Sequence, residues 1–403
     1  MRACRCAVFF LFLFITACGG LNPPKYFDQV VTHATNVFEP TSKGTTPTTV
    51  TATALNKSTL TPTISLESTS TEIVSIRMFD GNNGWGLTER QVVRTTDAGT
   101  TWVDISPEIP DLGASIGTPY FFNKEIAWML VPDQDEYFAH GTLYSTVDGG
   151  LNWTTVTTPF GGGSLTFLDE KNGWMMADLG AGAGSQAVAI YQTSDGGRSW
   201  KLKSTNDPTR QGADTTLPLG GLKYELVPLD MNTAFIGGVV YAPGTVYLFR
   251  SDDGVLTWKK LTPVLPNGME EAGVTFKSLQ FFGKTNGFLA LNLSSSDQKL
   301  ILYKTQDGGD HWTPLPDEFS PGGKVEFLSA SEGVIYNDSS FWFTQDAGQT
   351  WSMVQPEKDF GESLTYVDFI DKDLGWVIAY DDSNTHILFR TTDGGRSWVP
   401  TVK

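Results

Sequence analysis

Residues 193–200 read TSDGGRSW, and residues 391–398 read TTDGGRSW. The same octet, S/T-x-D-x-G-x-S/T-W, returns as TTDAGTTW at 95–102, TVDGGLNW at 146–153, SDDGVLTW at 251–258, TQDGGDHW at 305–312 and TQDAGQTW at 344–351. One such octet would say little, but seven in register mean a repeated unit. Its aspartates are Asp97, Asp148, Asp195, Asp253, Asp307, Asp346 and Asp393. They recur roughly every 40 to 60 residues, the length of one four-stranded sheet. An Asp at a turn accepts N–H bonds from the residues just beyond it and the Gly supplies positive φ, so D-x-G fixes a compact hairpin. The Trp that closes each octet (Trp102, Trp153, Trp200, Trp258, Trp312, Trp351 and Trp398) opens the last strand and buries a large apolar surface.

A second element precedes each octet: FDGNNGW ending at Trp85, FFNKEIAW at Trp128, FLDEKNGW at Trp174, DMNTAF at Phe235, GKTNGF at Phe288, SASEGV at Val334 and DKDLGW at Trp376. A cluster of Asp, Asn and Gly beside an apolar run is the mark of a tight hairpin between strands. In the first repeat the strands are EIVSIRMF, GWGLT, QVVRT and TWVDI. No such sheet can bury both faces alone, whereas packing them around a ring does so and leaves only short edges. The sequence therefore predicts an all-β fold over residues 72–403, a seven-bladed β-propeller of four-stranded antiparallel blades.

The first 71 residues read differently. Arg2 and Arg5 precede an apolar run from Ala7 to Ile15, followed by Thr16-Ala17-Cys18-Gly19. A positive start, a short apolar stretch and small residues before a cysteine predict a signal peptide at 1–17, too short to cross a bilayer as a helix. The stretch resembles the bacterial lipobox, which implies a lipidated Cys18, an extracytoplasmic location and an anchor in membrane lipid. Of the three cysteines, cleavage would remove Cys4 and Cys6, leaving no disulfide and no cysteine-based metal site or nucleophile in the folded part. Residues 18–71, rich in Thr, Ser and Pro, predict a disordered tether reaching on the order of 40 Å. The formal charge of -17 becomes two charges more negative once Arg2 and Arg5 leave, which argues against nucleic acid as a partner.

With both elements in view, the octets resemble the BNR or Asp-box repeats of sialidases, sortilin-type receptors, some glycosidases and the photosystem II stability and assembly factors. The likeness spans residues 72–403 and is greatest to the assembly-factor group, which pairs a DGG-x-x-W box with an upstream GW element. It implies that the seven box aspartates are structural. It also implies a non-catalytic binding or assembly scaffold tethered to a membrane, with a protein client. That family's arginine patch finds little to match in this chain. Val255 replaces the second Gly of the fourth box and His311 the hydroxyl residue of the fifth, so the fourth box is expected to be distorted.

The search for chemistry is largely negative. All 12 tryptophans are accounted for as core: seven close boxes, Trp85, Trp128, Trp174 and Trp376 sit in the upstream elements, and Trp342 lies in the strand before the sixth box. A sialidase needs clustered arginines for its substrate carboxylate, yet only Arg77 falls on a predicted inner strand. Histidines 33, 140, 311 and 386 lack metal-ligand spacing, so no metal and no cofactor is predicted. The competing function is an extracellular glycoside hydrolase, sialidase-like or of another Asp-box type, with a glycan as its partner and a pair of acids as its machinery. Binding is expected on the face opposite the boxes, where the longest connections gather: 132–140, 177–186, 204–221 and 263–273. Tyr137, Phe138, His140 and Arg210 are the contact residues nominated there.

Overall fold

A computed structural model describes residues 72–109, 117–133, 139–210, 213, 216–296, 298–321 and 323–401. Among them 28 strands follow one another in seven consecutive sets of four. The first set is β1 (Ser75–Met78), β2 (Gly84–Leu87), β3 (Val92–Thr95) and β4 (Val103–Asp104), and the second β5 (Thr118–Phe121), β6 (Ala127–Pro132), β7 (Gly141–Thr146) and β8 (Thr154–Thr158). The third comprises β9 (Gly163–Phe167), β10 (Gly173–Gly182), β11 (Ser185–Thr193) and β12 (Lys201–Thr205). The fourth comprises β13 (Leu222–Pro228), β14 (Ala234–Val239), β15 (Leu248–Ser251) and β16 (Lys259–Lys260). Then come β17 (Gly273–Phe282), β18 (Asn286–Ser294), β19 (Gln298–Thr305) and β20 (Thr313–Phe319) in the fifth. The sixth holds β21 (Lys324–Phe327), β22 (Gly333–Asn337), β23 (Ser340–Thr344) and β24 (Ser352–Val354). The last holds β25 (Leu364–Phe369), β26 (Gly375–Tyr380), β27 (His386–Thr391) and β28 (Val399–Pro400).

Every set is an antiparallel meander, and five form separate four-stranded sheets. The fourth and fifth merge into one eight-stranded sheet through a single pair, Val239 opposite Thr275. The outermost strands begin one residue after the box Trp, so each indole lies at the hairpin end and not inside the strand. The stretch 177–186 differs from its expectation as a loop: β10 and β11 run on through it as an extended hairpin to Gly182 and Ser185, with a register shift between Asp178 and Ala181.

The core is divided among seven apolar clusters, each shared by two sets. Trp85 and Leu87 pack with Phe121 and Met129, Trp128 with Phe167, and Trp174 with Ile236. Phe235 packs with Phe281, Phe288 with Phe327, and Phe341 with Phe369. The seventh cluster joins Trp376, Ile378 and Leu388 of the last set to Ile73, Ile76 and Met78 of the first. Many seams contain a stacked aromatic pair, closest in Trp128 on Phe167 and Phe288 on Phe327, both with ring centroids 3.6 Å apart. Such pairs add roughly 0.5–1.5 kcal/mol beyond the area they bury.

Candidate functional site: the boxes, the axial ring and the opposite face

The boxes have one hydrogen-bond plan. In each, the first hydroxyl donates to the Asp Oδ1 at 2.8–2.9 Å, and the amide four residues after the Asp donates to the same oxygen at 2.8–3.0 Å. The side chain at that later position reaches Oδ2 at 2.6–2.7 Å: a hydroxyl in five boxes, the Asn152 amide in the second and the His311 ring in the fifth. The fourth box keeps the whole plan, because Val255 adopts the left-handed φ of 66° that its glycine counterparts use. Asp253 there still holds Ser251 and Thr257, so the expected distortion is absent.

Each box is also tied to the upstream turn of its own set. The residue after the Asp donates to a carbonyl of that turn at 2.8–3.0 Å in all seven, from Ala98 to Asn82 in the first to Gly394 to Asp373 in the last. Box and GW hairpins thus lie at one end of the sheets. Three indoles extend this link between sets: Trp85 Nε1 donates to Asn123 O, Trp128 Nε1 to Gly196 O and Trp376 Nε1 to Ala98 O.

Partial burial pushes the carboxyls of Asp97, Asp148, Asp195, Asp253 and Asp393 up, but the box hydrogen bonds outweigh it and hold each below the usual value. In Asp307 and Asp346 those hydrogen bonds are themselves the largest effect. A carboxyl lowered on folding adds stability above its unfolded value and loses it as pH falls through the folded one. We therefore expect an acid transition that begins near pH 4 and steepens below it, visible as a falling urea midpoint. A midpoint flat down to about pH 2 would contradict this assignment.

First strands of neighbouring sets touch one another, β25 with β1, β5 with β9, β9 with β13, β13 with β17 and β21 with β25, and β17 reaches β21 through Gln280, so these strands line a common axis. Opposite the upstream Trp or its replacement, each carries one residue of a ring: Arg77, Tyr120, Thr166, Val227, Gln280, Glu326 and Asp368. Several of these reach the backbone of the next set. The Tyr120 hydroxyl donates to Phe167 O, and the Gln280 amide both donates to Phe327 O and accepts from Phe327 N. Glu326 accepts from Phe369 N at 3.4 Å, and Asp368 from Met78 N at 2.6 Å. Arg77 Nη1 stands 3.4 Å from both carboxylates.

The other arginines are used elsewhere. Arg94 pairs with Glu125 and Arg250 with Asp310, both in the following set. Arg198 and Arg396 donate to the carbonyls of Asp195 and Asp393 within their own boxes. Arg390 lies over the Trp376 ring. Arg77 is the one arginine among the described residues that lies on a first strand.

On the opposite face, Tyr137 and Phe138, like Cys18, fall outside the described residues. His140 is exposed just before β7, and Arg210 is exposed and pairs with Asp207 at 3.3 Å; they belong to different sets. Sequence reasoning missed Lys223. Buried on β13, its ammonium donates to the carbonyls of Gln186, Leu219 and Gly221 at 2.8–2.9 Å, tying the connection after β12 to the β10–β11 hairpin. Burial pushes it down to about 8, leaving it protonated at neutral pH. Replacing it in Lys223→Met should cost about 2 kcal/mol in urea unfolding, as three carbonyls lose their donor while the burial cost of a charge is relieved. Tyr241, 77% exposed beside Gly184, was also missed; a lone aromatic in a loop carries no periodic signal.

These meanders, packed through their first strands around one axis, define a propeller-type fold. No family model matches the chain. It is similar to the photosystem II assembly lipoprotein Ycf48 of Synechococcus sp. (strain CC9902), 26% identical over 140 residues, 33% of this chain and 37% of that protein. It is also similar to a xyloglucanase of Hypocrea jecorina (strain QM6a), 23% identical over 250 residues, 53% of this chain and 29% of the enzyme. The chain thus spans about a third of the length of the curated relatives it matches. Among solved structures, YCF48 bound to D1 peptide matches with a TM-score of 0.50 and 18% identity, over 80% of this chain and 94% of that one. Among the described residues no helix is long and apolar enough to cross a membrane.

Proposed function

We propose that this protein is a seven-bladed, non-catalytic binding scaffold, held outside the cytoplasm by lipid on Cys18 and a tether ending near residue 71, which presents the face opposite its boxes to a protein client. The observation that carries the non-catalytic reading is the state of the axial acids: Glu326 and Asp368 are both spent on backbone amides of the next set and on one shared arginine. The box aspartates are likewise saturated from within, which supports a structural role for them. The seven shared clusters support the blade count. Similarity to an assembly lipoprotein, and to a solved relative carrying a peptide, supports a protein as the client. Within this reading Tyr137, Phe138, His140 and Arg210 are client contacts.

Affinity capture from solubilised membranes with the lipidated protein, followed by binding of the purified client to Arg210→Glu and unaltered protein, tests it. A client that binds both forms equally removes Arg210 from the contact surface, and capture of no protein at all speaks against the scaffold. In parallel, Cys18→Ser should release the protein from the membrane fraction. The second reading, a glycoside hydrolase, is favoured by the xyloglucanase similarity and by the two axial acids. Turnover of a sialoside or a plant or bacterial glycan, abolished by Glu326→Gln, would establish it in place of the scaffold.

A further inference from the structure

The seam between the last and first sets has no strand in common: β25–β28 and β1–β4 are separate sheets made from the two ends of the described chain. Arg77 on β1 and Asp368 on β25 meet across it, and Glu326 on β21 of the sixth set reaches the same guanidinium. Two carboxylates share one guanidinium, so with all three ionised the cluster holds an uncompensated negative charge in a buried place. Asp368 is 1% exposed, Glu326 17% and Arg77 12%. A charge left unpaired in such a site is costly, and the least costly remedy is to bind a proton.

We propose that this seam is a proton-controlled lock: one proton carried by the Glu326–Asp368 pair keeps the inner strands of the sixth, seventh and first sets together, and its loss loosens them. The geometry makes the lock specific. Each carboxylate accepts the amide of the last residue of the next inner strand, Phe369 for Glu326 and Met78 for Asp368. Gln280 does the same to Phe327 with a neutral group, so the molecule contains its own uncharged copy of the device.

The groups facing the pair are Arg77 from β1, Tyr366 from β25 and, through Arg77, Tyr120 from β5. Burial pushes both tyrosines up, Tyr120 to about 12, so neither supplies a charge near neutral pH. The remaining charged residues of the first strands are Lys223 and Glu225 on β13, Lys277 on β17 and Lys324 on β21. Burial first, and then the Asp368 charge, push Glu326 up to about 8 against the pull of Arg77. Asp368 is raised by burial and opposed by Arg77 and the Met78 amide. The two titrate as a pair. Because the folded pair keeps a proton that the unfolded chain has shed, unfolding releases it, and stability falls as pH rises from the usual carboxyl range to about 8.

The test is amide hydrogen exchange on the full chain between about pH 6 and pH 9, corrected for intrinsic rates. Protection of Met78 and Phe369 should fall by about tenfold or more while that of Phe327 stays level, and the change should vanish in E326Q, which keeps an acceptor for Phe369. Equal loss at Phe327, or loss that persists in E326Q, overturns the lock. Should E326Q not fold, the unaltered protein still decides. Its infrared spectrum should show a protonated carboxyl at neutral pH that disappears by about pH 9, and absence of that band overturns the proposal.

Discussion

Truncating Trp376 to Ala should destabilise the protein by about 3–5 kcal/mol, the usual cost of emptying a fully buried indole site. Its ring is wholly inaccessible, and with Ile378 and Leu388 it forms the last set's share of the cluster that meets Ile73, Ile76 and Met78. Its Nε1 donates to Ala98 O of the first box at 2.9 Å, across the same seam. Trp376→Phe separates the two contributions: it keeps most of the apolar contact and leaves one carbonyl unpaired, so about 1–2 kcal/mol should be lost. Urea unfolding of the three proteins measures both values. If Trp376→Ala cost no more than about 1 kcal/mol, the seam would not rest on this residue.

The second large effect is expected at Gly163, the first residue of β9. Its φ of 140° lies where side chains are rarely tolerated, and a Cβ built there falls far inside contact distance of Met176 O on the paired strand. Strain in the dihedral and overpacking each contribute roughly 1–3 kcal/mol. Gly163→Ala should therefore lower unfolding free energy by about 2–6 kcal/mol. Gly268 is the control, since it also has positive φ, 82°, but open space around it. Gly268→Ala should cost only about 1 kcal/mol. Similar losses at the two sites, read from denaturation midpoints, would show that the close approach at Met176 relaxes without penalty.

The all-β character and the four-strand meanders were legible because their signals are local. D-x-G turns and N-G or D-L-G-W hairpins act over a few residues, and the apolar runs between them have strand length. Arg77 was singled out as the one arginine on an inner strand, and it does lie on β1. Its partners were not legible. Glu326 and Asp368 lie 249 and 291 residues away in the chain, and nothing in the local sequence distinguishes them from the many surface acids. Lys223 was hidden for a different reason, since it binds carbonyls, which every residue possesses. The extended hairpin at 177–186 was read as a loop because its glycines and alanines suggest irregular chain, whereas backbone pairing needs no side chains. For Val255 the expectation of distortion gave too little weight to the surrounding bonds. Ser251, Asp253 and Thr257 hold the turn in place and offset the strain of a branched residue at positive φ.

Because each sheet is woven from one unbroken stretch, nearly all pairing can form without distant parts of the chain meeting. Packing of the last set against the first does require distant parts to meet. Joining segments some 300 residues apart carries a loop-closure cost of about 5 kcal/mol, against little for any single hairpin. Assembly should therefore spread from neighbour to neighbour and finish by annealing the two ends, which makes ring closure the slow and most easily reversed event of folding.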